Sequence, residues 1–120
     1  MSEIKTYKDF IVWQKSFRLV LNIYKISKSF PDEEKFCITQ QMRKSAISIP
    51  SNIAEGFGRN HTKEYIRFLQ IACGSLYELE TQLEICYKLN YINDNDQQEL
   101  NELCIEIGKM LNSLIRKLTR

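Results

Sequence analysis

The sequence predicts an all-α fold: an up-down-up-down antiparallel four-helix bundle whose second helix is kinked at Pro50. Three observations lead there. Four segments carry apolar residues at a period of about 3.6, which gathers side chains on one stripe of a helix. No segment sustains the two-residue alternation of a half-buried strand. Between the four segments stand only short clusters of Pro, Gly, Asn, Asp and Ser, and helices joined by short connections pack antiparallel.

The first helix is expected at about residues 8–28, where Phe10, Trp13, Phe17, Val20, Tyr24 and Ser27 recur at intervals of three and four. Ser29-Phe30-Pro31-Asp32 ends it, because the residue before a proline avoids helical geometry. The second, about 33–58, presents Met42, Ala46, Ile49, Ile53 and Phe57. Pro50 removes one N–H and crowds the carbonyl of Ala46, so one bent helix is expected rather than two. Gly56, Gly58, Arg59 and Asn60 close it. The third, about 62–90, is capped by Thr62 and carries Tyr65, Leu69, Ala72, Leu76, Leu79, Leu83 and Cys86. The fourth, about 94–118, follows a cap at Asn93 or Asp94, with Asp94 and Gln97 spaced as a capping box. Its stripe is Leu100, Leu103, Ile107, Leu111, Leu114 and Leu118.

Composition narrows the function classes. The 120 residues suffice for one core and not two, so a single domain over 1–120 is expected. Seventeen Lys and Arg against fifteen Asp and Glu, net +2, exclude a histone-like chain and a disordered polyelectrolyte. The polar start, Met1 to Thr6, has no apolar run of the signal-peptide kind, and no stretch is apolar enough to span a bilayer. A cytoplasmic protein without a membrane partner is expected. Cys37, Cys73, Cys86 and Cys104 lack C-x-x-C spacing and read as buried free thiols.

Little in the chain points to catalysis. One histidine, His61, leaves no partner set for a nucleophile, and Gly56-Phe57-Gly58-Arg59 is only a fragment of a phosphate loop. No metal site, cofactor or small-molecule substrate is predicted. Gln41, Ser45, Ser48, Asn52, Glu55 and Arg59 instead form a polar stripe on the second helix, and Ser75, Glu78 and Gln82 a flank on the third. Facing each other, Gln41, Ser48, Asn52, Glu55, Ser75, Glu78 and Gln82 are candidates for a buried polar network or a subunit interface, with Arg43 or Arg59 as carboxylate partner. The enzymatic alternative would use Glu55 and Glu78 as an acid/base pair.

Charge is unevenly spread. Residues 1–67 hold 12 basic and 7 acidic side chains, +5, and residues 68–120 hold 5 and 8, −3. Lys8, Lys15, Arg18, Lys25 and Lys28 decorate the first helix. Arg43, Lys44, Arg59, Lys63 and Arg67 are the candidate phosphate-binding residues, the last three spaced by four.

Several strings carry a family resemblance: Tyr7-x-Asp9-Phe10-x-Val12-Trp13-Gln14-Lys15, Phe30-Pro31-x-Glu33, Gln41-x-Arg43-Lys44-Ser45-Ala46-x-Ser48-Ile49-Pro50-Ser51-Asn52-Ile53-Ala54-Glu55-Gly56, and Arg67-Phe68-Leu69 through Glu78-Leu79-Glu80-Thr81-Gln82-Leu83. Over residues 7–92 the chain resembles the four-helix-bundle proteins encoded in intervening sequences of bacterial 23S ribosomal RNA genes. Relatives of the accessory variability protein of diversity-generating retroelements belong to the same group. The resemblance implies a four-helix bundle that assembles into a homopentamer, has no catalytic residues, and binds RNA or DNA through a basic surface. Cys37 departs from it, standing where the family commonly has glycine before the second helix. Two functions are therefore expected in competition: a nucleic-acid-binding assembly, or a protein–protein scaffold using exposed aromatics such as Tyr7 and Tyr91.

Overall fold

A computed structural model describes residues 3–120, so the first two residues of the expected 1–120 domain lie outside the described residues. It holds four α-helices and, among the described residues, no strand: α1 (Ile11–Ser27), α2 (Ile38–Phe57), α3 (Thr62–Lys88) and α4 (Asp94–Thr119). α1 begins later than expected because Tyr7–Asp9 is a separate 3-10 turn. Thr6 Oγ1 accepts from Lys8 N at 3.1 Å, and the Asp9 carboxylate accepts from Thr6 N at 3.0 Å and Lys5 N at 2.8 Å. Those amide bonds hold the Asp9 carboxyl below the usual carboxylate range. Phe10 is then extended, which turns the chain into α1.

α2 begins at Ile38 rather than near 33. Asp32–Glu34 forms another 3-10 turn after Pro31, and Cys37, with φ −118° and ψ −110°, interrupts the helical path. From Ile38 the helix is continuous through Pro50, whose side chain is buried. Thr62 does not cap α3. His61 occupies that position with extended backbone, and its side chain makes no capping bond. α3 ends in a Schellman turn: Asn90, at φ 64°, sits in the left-handed region, Asn90 N donates to Tyr87 O, and Tyr91 N donates to Cys86 O. Asn93 caps α4 by accepting from Asp96 N at 2.7 Å. The expected Asp94–Gln97 box does not form, since Gln97 is buried and its Nε2 reaches Glu84 instead.

The helices pack in cyclic order, each against the next and α4 against α1. Contacts along each seam establish the antiparallel sense. Phe10 meets Phe57, Arg43 meets Ser27, Met42 meets Cys86, Cys73 meets Asn112, and Lys15 pairs with Glu106. One cluster draws on every helix, and Leu19, Met42, Ile49, Ile53, Leu69, Leu79, Leu83, Ile107 and Leu111 are fully enclosed in it.

On α1 the buried stripe is Val12, Ser16, Leu19, Ile23 and Ser27, one position round from the expected one. Phe17 is 47% exposed and stacks on half-buried Trp13 at 5.2 Å. Ser16 can lie inward because its hydroxyl donates to Val12 O at 2.7 Å, so that buried hydroxyl is paired. Cys37 is exposed, contrary to expectation, whereas Cys73, Cys86 and Cys104 are buried free thiols. Tyr7 and Tyr91 are half-buried rather than free: Tyr7 packs edge-on to Trp13 at 5.3 Å, and Tyr91 donates to Glu34 Oε2 at 2.8 Å.

Candidate nucleic-acid interface

The polar stripes of α2 and α3 do meet, but only in part. Ser48 and Ser75 share a hydroxyl–hydroxyl bond of 2.7 Å across the seam, and Asn52 Nδ2 donates to Ser48 Oγ at 2.9 Å and Ser48 O at 2.7 Å. Gln82 is buried beside them, its Oε1 without a hydrogen-bond partner. Gln41 and Glu78 stand exposed on the rim of the same groove, which encloses about 480 Å³ together with Lys44, Ser45, Ser48, Ser75 and Gln82. Glu55 is exposed and lies 3.8 Å from Arg59, the next turn of its own chain. Within one chain the seven candidates give a triad plus one buried amide, and Gln41, Glu55 and Glu78 lie outside it on the surface. Glu55 and Glu78 are surface carboxylates, and His61 is an exposed cap residue.

The five basic candidates divide into two groups. Arg43 is half-buried: its Nε donates to Ser27 Oγ at 2.9 Å and its guanidinium lies 4.6 Å from the Tyr24 ring. That side chain ties α1 to α2. Lys44 is exposed at the α2–α3 groove. Sixteen residues separate Arg43 from Arg59, about 24 Å of helical rise, so these groups belong to different regions of the molecule.

Arg59, Lys63 and Arg67 surround the α2–α3 turn. Arg59 and Arg67 both lie against Phe68, 4.8 Å and 5.6 Å from its ring centre, a cation–π pairing that fixes two guanidiniums on one aromatic. Arg59 is also 3.8 Å from Glu55 and from Glu64. Among the described residues Lys63 and Arg67 have no carboxylate within 4 Å. Gly56 lets this corner close: a β-carbon there would fall 2.9 Å from Phe68 Cβ.

Antiparallel packing gathers further charge at this end. The start of α1 meets the α2–α3 turn through the ring contacts of Phe10 with Phe57 and Phe57 with Tyr65, and it lines a groove with the end of α4. Residues 3–18, 55–67 and 106–120, which keep the Lys15–Glu106 pair together, contain 11 basic and 5 acidic side chains, +6, and residues 19–54 and 68–105 contain 6 and 10, −4. Lys109, Arg116, Lys117 and Arg120, absent from the sequence-based candidates, supply four of those charges from a 14-residue stretch with no acid. A split at residue 67 had averaged that stretch with the acidic first half of α4. Among the described residues, no group of three or more His, Cys, Asp or Glu is placed to hold a metal ion, and no helix is long and apolar enough to cross a membrane.

Comparison with known proteins adds the following. Residues 8–113 match the family model described as 23S rRNA-intervening sequence protein. A crystal structure of a protein of unknown function from the S23 ribosomal protein family of Bacteroides thetaiotaomicron superposes with a TM-score of 0.81. The two chains are 30% identical, over 88% of this chain and 98% of that one. No curated protein sequence matches.

Proposed function

The chain belongs to the 23S rRNA-intervening sequence protein family, and on that premise we propose that it is a non-catalytic cytoplasmic protein that binds nucleic acid, RNA above all, through the basic end of its bundle. One observation carries the reading: 11 of the 17 basic side chains fall on the segments that meet at one end, against 5 of the 15 acidic ones. Polyanion binding rests on local charge rather than net charge, and a formal +2 conceals this concentration. Arg59, Lys63 and Arg67 are the central contacts, with the guanidiniums able to grip phosphates bidentately. Contacts of this kind fix position on a backbone and do not read bases, so little sequence preference is expected.

We propose a homopentamer as the form in which it binds. A homopentamer would repeat each basic end around a rim and raise avidity without any new contact. Five chains of 14.2 kDa give about 71 kDa, which light scattering reads directly.

The test is a fluorescence titration with a structured RNA at rising salt. Binding that weakens steeply between about 50 and 200 mM salt is expected. No binding at about 50 mM would overturn the reading.

A further inference from the structure

On the opposite flank of the basic end from the α2–α3 turn, the start of α1 and the last turns of α4 enclose an open groove of about 420 Å³. Its lining is aliphatic, with Ile11, Val12, Met110 and Leu114 along it and Lys109 and Lys117 as the charged members. Ile11 is 59% exposed although it begins a helix that packs against α4. One turn further along the seam the groove ends at the Lys15–Glu106 pair. Beyond Glu106 the rest of α4 has no acidic residue, and Asp9, the nearest acid on the α1 side, already accepts two backbone amides.

We infer that this groove is a docking site for an acidic amphipathic helix of a protein partner. Three features support that occupant. Lys109 and Lys117 are eight residues apart, about 12 Å of helical rise, which matches the two turns spanned by anchors at i, i+3 or i+4, and i+7. The lysines offer charge to the flanks of such a helix, while the aliphatic floor takes its apolar stripe. A nucleobase is a poorer fit. The lining has one aromatic, Phe10, and its ring is taken up edge-to-face by Phe57 at 5.2 Å, so no free face is presented for stacking.

The test uses the full chain and fluorescein-labelled peptides of about 15 residues, long enough to form a helix on the surface. One carries Leu at the anchor spacing with Glu elsewhere, a second has the same residues scrambled, and a third replaces Glu by Lys. Saturable binding of the first alone is expected, weakened about tenfold or more by Lys109→Glu with Lys117→Glu, and separately by Ile11→Glu. All three residues are exposed, and circular dichroism checks that the helices remain. Equal binding of the scrambled or basic peptide overturns the proposal, as does indifference to the substitutions. So does a change in light-scattering mass with the same variants, which would make the groove a contact between copies. Reversing Lys109 and Lys117 also lowers RNA affinity on the proposed function, so Ile11→Ser separates the two. It should lose the peptide and keep RNA binding, and retained peptide binding with lost RNA binding would overturn the proposal.

Discussion

Gly56 approaches Phe68 so closely that no side chain fits between them. A β-carbon on Gly56 would stand 2.9 Å from Phe68 Cβ, 3.0 Å from Tyr65 Cδ1 and 3.2 Å from Tyr65 O. Replacing a helical glycine by alanine ordinarily stabilises by up to about 1 kcal/mol. Here overpacking reverses the sign, and Gly56→Ala is expected to destabilise by about 1–3 kcal/mol in urea denaturation. Gly74, in the middle of α3 with nothing within 4 Å, is the control. Gly74→Ala should stabilise, and a common sign for the two would refute the close approach.

The hydroxyl pair Ser48–Ser75 makes a measurable link between α2 and α3. A double-mutant cycle with Ser48→Ala and Ser75→Ala should give a coupling of about 0.5–1.5 kcal/mol. Purely additive effects would mean that the two hydroxyls bond water instead.

The facing of α1 has its own check. Leu19 is fully buried, whereas Phe17 is nearly half exposed. Leu19→Ala is expected to cost about 2–5 kcal/mol, and Phe17→Ala about 1 kcal/mol, mostly its stacking on Trp13. The reverse order would put the aromatic stripe inside.

Thiol chemistry separates Cys37 from the other three. An aromatic disulfide reagent should modify one thiol in the native protein and four after denaturation. Burial pushes the Cys104 thiol up to about 12, with the charge of Glu80 adding to it, and the Cys86 thiol up to about 11, with the charge of Glu34 adding to it. An unfolded thiol ionises near pH 8.5. Above that pH the unfolded chain holds fewer protons than the folded one, so stability falls as pH rises towards 11–12. Denaturation midpoints measured from about pH 8 to 10.5 should decline, and less so in Cys86→Ala and Cys104→Ala, which carry no thiol to ionise.

Charge reversal should sort the basic residues by place. Lys63→Glu with Arg67→Glu is expected to reduce RNA affinity about tenfold or more and to flatten its salt dependence. Lys44→Glu, on the α2–α3 groove away from the basic end, should change it little. Arg43→Glu should act chiefly on stability, because it breaks the bond to Ser27 and leaves the Tyr24 ring. Equal loss of RNA binding from Lys44→Glu would argue against an end-on interface.

How much of this was legible in the sequence depends on the kind of signal. The stripes of α2, α3 and α4 were plain, because each has one row that keeps the three-and-four spacing over several turns, while the apolar residues outside it, such as Ile47, Ile71, Ile85 and Ile105, stand singly and exposed. α1 has two adjoining rows, and Ser16 disguised the one that packs inward. A hydroxyl that bonds its own helix backbone behaves as a small apolar group, and periodicity counting does not credit it. Caps were legible to within a residue or two, as Asn93 was, and wrong where a turn intervened, as at Asp32–Glu34. The polar triad was legible in Ser48, Asn52 and Ser75, but not the exposure of Glu55 and Glu78, which depends on how far each stripe rotates from the seam. The basic end was half visible. Arg59, Lys63 and Arg67 are neighbours in sequence, whereas the last turns of α4 join them only through the antiparallel return of the chain.

The segregation of charge has a kinetic consequence. The molecule is about 44 Å long and 28 by 22 Å across, with an excess of positive charge at one end and an excess of negative charge on the remainder of α3 and α4. Such a body carries a permanent electric dipole, and a polyanion would exert a torque on it across a Debye length before any contact forms. On the proposed nucleic-acid-binding reading, the molecule would arrive turned, basic end first, and fewer encounters would be wasted on the wrong face. Added salt shortens the reach of that torque, so it slows association as well as weakening the complex.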